Sequence, residues 1–157
     1  MSNWAAHRYH DISCGHRVHG HESKCAHLHG HNYRVHFTVE CDEKPGHPDR
    51  SVELTATELD NIGRVMDFSV IKSKLCMWLE DVWDHKFLVW EEDPAADALV
   101  DIDAMGVVLV PFNPTAENMA AFLVNKVGPA LLHGTGCRLR EVVVSETRKC
   151  AASYRSS

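Results

Sequence analysis

The segment from Cys25 to Tyr33 carries the side chains of this chain that are best suited to chemistry. It reads Cys-Ala-His-Leu-His-Gly-His-Asn-Tyr, with a thiol at Cys25 and imidazoles at His29 and His31. Residues two apart on an extended backbone point to the same face of a strand. His29 and His31 can therefore bind one metal ion from one side. Cys25 is close enough in sequence to be either a further ligand or a reacting group.

The strand that must position these histidines is predicted by the alternation that follows them. From Tyr33 to Glu40 the odd positions are apolar and the even positions polar, which is typical of a half-buried strand. If this strand extends back, His29 and His31 continue its buried face, whereas His36 has the opposite parity and is predicted to be exposed. Because nine of the 12 histidines lie within the first 36 residues, a loose metal-binding tract or solvated histidines is the competing interpretation.

A third metal ligand must come from elsewhere in the chain, because a catalytic zinc ion usually has three protein ligands and one open position. His16 is the best candidate, since it follows a predicted strand and the small residues Ser13-Cys14-Gly15. His19 and His21 are its competitors. Cys25 as a ligand would instead give a closed Cys-His site of the structural type. Spacing alone leaves these alternatives open.

Two helices are predicted from the spacing of apolar residues. Met66-Asp67-Phe68-Ser69 leads into the first. The second starts after Asn113-Pro114, with Thr115 as its N-cap, and is expected to stop at Gly128-Pro129. Their apolar stripes consist of Ile71, Leu75, Trp78, Leu79 and Val82 in the first helix, and of Met119, Phe122, Leu123 and Val127 in the second.

The remaining elements complete an α+β pattern. The N-terminal residues are predicted to form a strand that ends near Cys14, and residues 91–105 to form a loop or a short insertion. Because the helices do not alternate with the strands, we predict one domain over residues 1–157 with an antiparallel sheet. The other segments are a turn-rich stretch at Pro45–Asp49, a short apolar run at Val107–Val110, and strands at Leu139–Glu146 and Cys150–Tyr154.

Composition excludes several classes of protein. A formal charge of −6 over 157 residues argues against nucleic-acid binding. The chain contains no run of 18 apolar residues, so no membrane span is predicted. Met1–Trp4 does not have the pattern that begins a signal peptide, and we therefore expect a cytoplasmic protein. The cysteines are scattered and are expected to be reduced thiols; they lie at positions 14, 25, 41, 76, 137 and 150.

The motifs together resemble the 6-pyruvoyl-tetrahydropterin synthase superfamily. The similarity begins with His16-Arg17-Val18 and Cys25-x3-His29-Gly30-His31-Asn32-Tyr33, and the three-residue gap after Cys25 is similar to the queuosine-pathway branch. It departs from many relatives at Ile12-Ser13-Cys14-Gly15-His16, where an aromatic-Ser-Ala run is common, so Cys14 is expected near the metal. The similarity continues at Val65–Phe68, Asp84–Leu88, Pro111–Asn118 and Ser145–Thr147.

The resemblance implies a T-fold, in which a four-stranded antiparallel sheet carries two helices on one face. Such protomers close into β-barrels as trimers or hexamers with active sites at subunit interfaces. Oligomerisation of this kind closes sheet edges that a single protomer leaves open.

The resemblance also assigns roles to residues. His16, His29 and His31 match the zinc ligands, and Cys25 matches the base that accepts a proton. His85, with Asp84 beside it, matches the second catalytic group. Glu146 matches the acid that anchors the pterin ring and completes the relay, and Thr115 and Glu117 match pterin contacts that a neighbouring subunit could supply.

The residues themselves allow simpler roles. Asp84-His85 could cap a helix C-terminus, Thr115 and Glu117 could cap a helix N-terminus, and Glu146 could be a solvated strand end. Glu146 shares parity with Val142 and Val144, which favours a carboxylate that points inward. A buried carboxylate needs a partner, and the guanidine-like edge of a pterin would donate two hydrogen bonds to it. Candidates for binding the triphosphate are Arg17, Lys24, Arg34, Lys72 and Lys86.

The implied substrate is 7,8-dihydroneopterin triphosphate, and in the queuosine branch the products are 6-carboxy-tetrahydropterin, acetaldehyde and triphosphate. Zinc would acidify side-chain hydroxyls without redox chemistry, and a nearby thiol would become a usable base. Two alternatives remain: another pterin side-chain reaction, such as pyruvoyl-tetrahydropterin formation or aldol cleavage, and a non-catalytic zinc-binding protein.

Overall fold

Six strands form one sheet in the computed structural model, which describes residues 3–42 and 59–157. The order of the strands across the sheet is β4-β3-β1-β2-β5-β6. The turn predicted at Pro45–Asp49 lies outside the described residues. The strands are β1 (Ala6–His16), β2 (His29–Cys41), β3 (Lys86–Trp90), β4 (Val107–Val110), β5 (Cys137–Ser145) and β6 (Ala151–Arg155).

The sheet is mixed, whereas the sequence predicted four antiparallel strands. β1, β2, β5 and β6 pair antiparallel as expected, but β3 pairs parallel with β1 and β4 pairs parallel with β3. β3, the helix that follows it and β4 form a strand–helix–strand unit. The expected absence of such a unit was therefore wrong at this edge of the sheet.

The two long helical segments pack on one face of the sheet, as predicted. The first helical segment contacts β1 and the last contacts β5 and β6. The acidic stretch at 91–105, expected to be a loop, contains a seven-residue helix instead. The helices are α1 (Phe68–Ile71) and α2 (Met77–Val82), joined by a π-helical stretch (Lys72–Cys76); α3 (Ala96–Ile102); and α4 (Ala116–Phe122) and α5 (Gly128–Leu132), joined by a second π-helical stretch (Leu123–Val127).

The last helical segment continues past Gly128-Pro129, where the sequence predicted its end. Thr115 caps its start as expected, since the Thr115 hydroxyl accepts a hydrogen bond from the Asn118 N–H. A Cβ atom on Gly128 would lie 2.6 Å from the Cβ atom of Leu139 in β5. Glycine is therefore required there by the close approach of helix and sheet, and not as a stop signal.

Strand parity in β2 is as the sequence predicted. Tyr33, Val35 and Phe37 are buried, whereas Arg34 and His36 are exposed. The buried face packs against the apolar stripes of both helical segments in one hydrophobic core. No helix among the described residues is long and apolar enough to cross a membrane.

Two of the cysteines form a disulfide, which corrects the expectation that all six are reduced. Cys41 and Cys137 lie directly opposite each other on β2 and β5, and their sulfur atoms are bonded. Their cross-strand register was not evident from a sequence separation of 96 residues. Free thiols remain at Cys14, Cys25, Cys76 and Cys150.

Candidate active site

Three histidines converge at one end of the central strands. His16 ends β1, and His29 and His31 begin β2, where His16 pairs with His29 in the antiparallel register. One ring nitrogen from each residue lies within 4.8 Å of the other two. His16 is almost fully buried, at 1% exposure, and burial lowers its pKa to about 4. The three imidazoles chosen from the sequence therefore lie close enough together to bind one metal ion.

Backbone carbonyls orient two of these rings. His16 Nδ1 lies 2.6 Å from the carbonyl oxygen of Pro114, and His29 Nδ1 lies 2.7 Å from that of His27. A carbonyl oxygen only accepts hydrogen bonds, so each Nδ1 must carry the proton. The Nε2 atoms of both rings are then left with lone pairs, the form in which imidazole binds a metal.

The competing ligands do not join this cluster. The His21 ring accepts a hydrogen bond from the Ser23 N–H at 2.9 Å, and the His19 ring lies near the Trp90 ring. Among the described residues, the group of side chains that could share a metal ion is limited to His16, His29 and His31.

Glu146 faces the histidine cluster from the end of β5. Its carboxylate oxygens lie 3.9 Å from His16 Nε2 and 3.8 Å from His31 Nε2. The Glu146 side chain is 24% exposed, so it opens to solvent on one side while it faces the imidazoles on the other. The inward direction that parity predicted for Glu146 is present in the structure.

A pocket of about 320 Å³ lies beside the cluster; we call it the Cys25 pocket. Cys25 lines it from a short 3₁₀ turn, Lys24–Ala26. The Val18 N–H donates a hydrogen bond of 3.0 Å to the Cys25 carbonyl and so fixes this turn. Thr115 and Glu117 line it from the start of α4, within the same chain. Its lining residues include His16, Val18, His21, Cys25, Thr115, Glu117, Glu146 and Cys150.

Asp84 and His85 form a hydrogen-bonded pair at the start of β3. Asp84 accepts one bond from the Ser13 N–H at 2.8 Å and another from His85 Nδ1 at 2.7 Å. Burial opposes ionisation of Asp84, but these bonds outweigh it and lower the pKa of the carboxyl. His85 has a positive φ of 55°, which is uncommon for a residue other than glycine, and its side chain is 81% exposed.

His85 lies apart from Cys25 within one chain. It borders a recess of about 400 Å³ that also includes Ser13, Asn32 and His31, whereas Cys25 lines the Cys25 pocket. His31 borders the recess, and Glu146 lines the Cys25 pocket, 3.8 Å from His31 Nε2. The structure therefore brings the histidines, Cys25, Glu146, Thr115 and Glu117 together, and it places the Asp84–His85 pair on the other side of the cluster.

Two buried groups near the cluster were not selected, or not given a role, from the sequence. Cys14 lies directly opposite His31 on the neighbouring strand, and burial raises the pKa of its thiol to about 12. Tyr33 is fully buried, and among the described residues its hydroxyl has no hydrogen-bond partner. Burial raises the pKa of Tyr33, and the nearby Glu146 carboxylate adds to this effect. The parity of Tyr33 predicts a core position and gives no sign of its unpaired hydroxyl.

The basic residues chosen for triphosphate binding are mostly engaged elsewhere. Arg17 is paired with Asp93 at 2.9 Å, and Lys86 donates to the Met105 carbonyl. Arg34 borders a groove of about 960 Å³ that begins at His31 and Glu146; we call it the outer groove. Arg148, which the sequence did not single out, lies in the same groove. No motif marked Arg148, and only the turn that carries it brings it near Glu146.

Comparisons with known proteins agree with this architecture. The family described as 6-pyruvoyl tetrahydropterin synthase matches residues 6–157. A 6-carboxy-5,6,7,8-tetrahydropterin synthase from Synechocystis sp. is 30% identical over 151 residues, which are 96% of this chain and 92% of that protein.

Two solved structures share the fold. An uncharacterised protein from Wolinella succinogenes superposes with a TM-score of 0.77 at 22% identity, over 98% of each chain. A 6-pyruvoyl tetrahydropterin synthase from Caenorhabditis elegans superposes with a TM-score of 0.59 at 21% identity, over 98% of this chain and 96% of that one. These matches confirm the expected T-fold, here with six strands, and the chain belongs to the 6-pyruvoyl tetrahydropterin synthase family.

Proposed function

We propose that this protein is a zinc-dependent lyase that converts 7,8-dihydroneopterin triphosphate and water into 6-carboxy-5,6,7,8-tetrahydropterin, acetaldehyde and triphosphate. The observation that carries the proposal is the meeting of three imidazole nitrogens with the Glu146 carboxylate, beside a pocket that contains the Cys25 thiol. Curated relatives named 6-carboxy-5,6,7,8-tetrahydropterin synthase, which span most of the chain, support the choice of product.

The residues present fit a zinc ion. His16 and His29 offer Nε2 lone pairs, because their Nδ1 atoms donate to carbonyl groups. His31 Nε2 is buried and, among the described residues, has no hydrogen-bond partner. Three imidazole ligands with an open side suit a catalytic zinc site. When bound there, zinc supplies Lewis acidity that lowers the pKa of hydroxyl groups on the substrate side chain.

Cys25 and the Asp84–His85 pair are proposed to move the protons. The reaction must remove a proton from a hydroxyl-bearing carbon of the side chain and return protons elsewhere, without a redox cofactor. Cys25 is a partly exposed thiol in the pocket that touches the cluster, so we assign it the role of base. His85 Nδ1 is held by Asp84, which leaves His85 Nε2 free to exchange protons at its exposed edge.

Glu146 is proposed to hold the pterin ring. A carboxylate can accept two parallel hydrogen bonds from the N2 amino and N3 groups of a pterin. Thr115 and Glu117 line the same pocket from the start of α4 and are proposed to contact the ring as well.

Oligomerisation is proposed to complete the site. Cys25 and His85 border different cavities in one chain, and the sheet formed by the described residues has β4 at one edge and β6 at the other. A trimer or hexamer would pair these edges and place the active site at a subunit interface, where a second chain can bring its own His85 to the Cys25 pocket.

The test is to incubate the zinc-loaded protein with 7,8-dihydroneopterin triphosphate and identify the products by mass. We expect 6-carboxy-tetrahydropterin and acetaldehyde. A 6-pyruvoyl product would assign the chain to another reaction of the same family. A folded, metallated sample that leaves the substrate unchanged would contradict an enzymatic function and favour a non-catalytic zinc-binding protein.

A further inference from the structure

The turn between β5 and β6 carries two adjacent cations next to the candidate site. Glu146 begins the turn, and its N–H donates to the Cys150 carbonyl at 3.1 Å. The Thr147 hydroxyl accepts hydrogen bonds from the Lys149 and Cys150 N–H groups at 3.1 and 3.2 Å. These bonds close the turn on itself, and Arg148 and Lys149 lie within it, directly after Glu146 and Thr147.

The outer groove connects this turn to the histidine cluster. Its inner end is formed by His31 and Glu146, and its outer part by Arg148 and Arg34. Arg148 is two residues from Glu146, so their Cα atoms lie within about 7 Å of each other. The substrate tail leaves the pterin ring on the edge opposite to its N2 and N3 groups. A ring held in the Cys25 pocket would therefore direct its side chain past the histidine cluster, and from His31 the tail can extend along the groove to Arg148.

Charge distinguishes the two arginines of the groove. Arg34 donates two hydrogen bonds to Asp11, each at 2.8 Å, and its guanidinium also lies over the Tyr9 ring. Its charge is largely compensated by Asp11. Arg148 is exposed, and no ion pair found among residues 3–42 and 59–157 involves it. The available positive charge in the groove therefore lies on Arg148, with Lys149 beside it.

We propose that Arg148 binds the polyphosphate tail of the substrate in the outer groove. This inference rests on the proposed function, since it takes the pterin ring to be held at Glu146. A tail that carries several negative charges needs cations, and the planar guanidinium binds phosphate oxygens through two parallel hydrogen bonds. Arg148 thus acts in substrate binding, and the chemical step is left to the histidine cluster and Cys25.

The test compares two fluorescent, oxidised pterins that share one ring system: neopterin triphosphate and neopterin. Binding of each to the zinc-loaded protein is measured by fluorescence titration, which requires no turnover. In the unchanged protein we expect the triphosphate to bind at least tenfold more tightly. Arg148→Ala should remove most of this difference and leave the affinity for neopterin itself unchanged, whereas Arg148→Lys should retain part of it.

Lys126→Ala is the matched control, because it removes the same charge from an exposed helical position that lines none of the cavities at the site. If Arg148→Ala and Lys126→Ala leave the preference for triphosphate equally intact, Arg148 is an ordinary solvated residue and the inference is wrong. If neopterin and neopterin triphosphate bind with the same affinity, the phosphate subsite is absent although the pterin site is present. If neither compound binds, the proposed function fails, and this inference fails with it.

Discussion

The Nε2 atoms of His16 and His29 lie 3.0 Å apart, and in the neutral form of each ring this nitrogen carries a lone pair. The Nδ1 atom of each ring already donates to a carbonyl, at Pro114 and at His27. Two lone pairs at this separation repel each other unless a proton or a cation lies between them. The backbone therefore holds the two imidazoles in an arrangement that a bound cation would stabilise.

The first prediction concerns the metal ligands. Replacing His16, His29 or His31 by alanine should lower zinc affinity by more than about 100-fold, the upper end of what loss of an outer-shell partner costs. Metal content after purification and competition with a chromophoric chelator would measure this. His36→Ala is the control, because His36 lies on the opposite, exposed face of β2.

A different result would identify a different ligand set. If His21→Ala lost zinc and His16→Ala kept it, the cluster in the structure would not be the metal site. If Cys25→Ala lost zinc as well, the closed Cys-His site that the sequence left open would be the correct one.

The second prediction concerns Cys25. Cys25→Ala should reduce turnover by about 10²-fold to 10⁴-fold, the range expected for loss of a general base, while zinc content stays near normal. Steady-state kinetics and metal analysis on the same sample would measure both. Cys150→Ala is a matched control, since Cys150 is an exposed thiol that lines the same pocket. A larger loss of turnover from Cys150→Ala than from Cys25→Ala would mean that the base has been assigned to the wrong thiol.

Much of this site could be predicted from local sequence because strand parity is a local property. The alternation after Tyr33 correctly placed His29 and His31 on the inner face, and the parity of Val142 and Val144 correctly turned Glu146 inward. Each of these inferences needed only neighbours along one strand. The pairing of His16 with His29 was not predicted, because nothing local fixes the register of two strands; the position of His16 after a predicted strand made it only the best candidate among several histidines.

The elements that were missed depend on contacts between distant segments. β3 directly follows the Asp84–His85 pair and has no alternation of its own that predicts a strand, and its parallel pairing with β1 joins segments about 70 residues apart. α3 is short and has an acidic, alanine-rich sequence that a loop could also have. The cysteine pair across β2 and β5 depends on register in the same way.

The third prediction concerns Glu146. Glu146→Gln should weaken neopterin binding by about tenfold to 100-fold, because hydrogen bonds to a charged group contribute about 1.5–3 kcal/mol. Zinc affinity should change much less, since the Glu146 oxygens lie 3.8–3.9 Å from the histidine nitrogens and are not among the proposed ligands. Fluorescence titration with neopterin would measure the effect. Glu117→Gln is the comparison within the same pocket, and a larger loss there would place the anchor on α4.

The last prediction concerns the fold at Gly128. In an exposed helix interior, alanine is more stable than glycine by about 1 kcal/mol. At Gly128 the added Cβ would lie 2.6 Å from Leu139 Cβ, and overpacking of this kind costs about 1–3 kcal/mol. Gly128→Ala should therefore lower the free energy of unfolding, measured by denaturant titration with an unchanged m-value.

Ala130, two residues further along α5, provides the opposite case. It is exposed, so Ala130→Gly should also destabilise the protein, by the ordinary helix propensity of about 1 kcal/mol. Alanine thus gives the more stable protein at position 130, whereas glycine gives the more stable protein at position 128. If Gly128→Ala instead stabilised the protein, the helix would not approach β5 as closely as the structure shows, and the glycine would have no packing role. The sign of this single substitution thus tests the contact between the last helix and the sheet that carries Glu146.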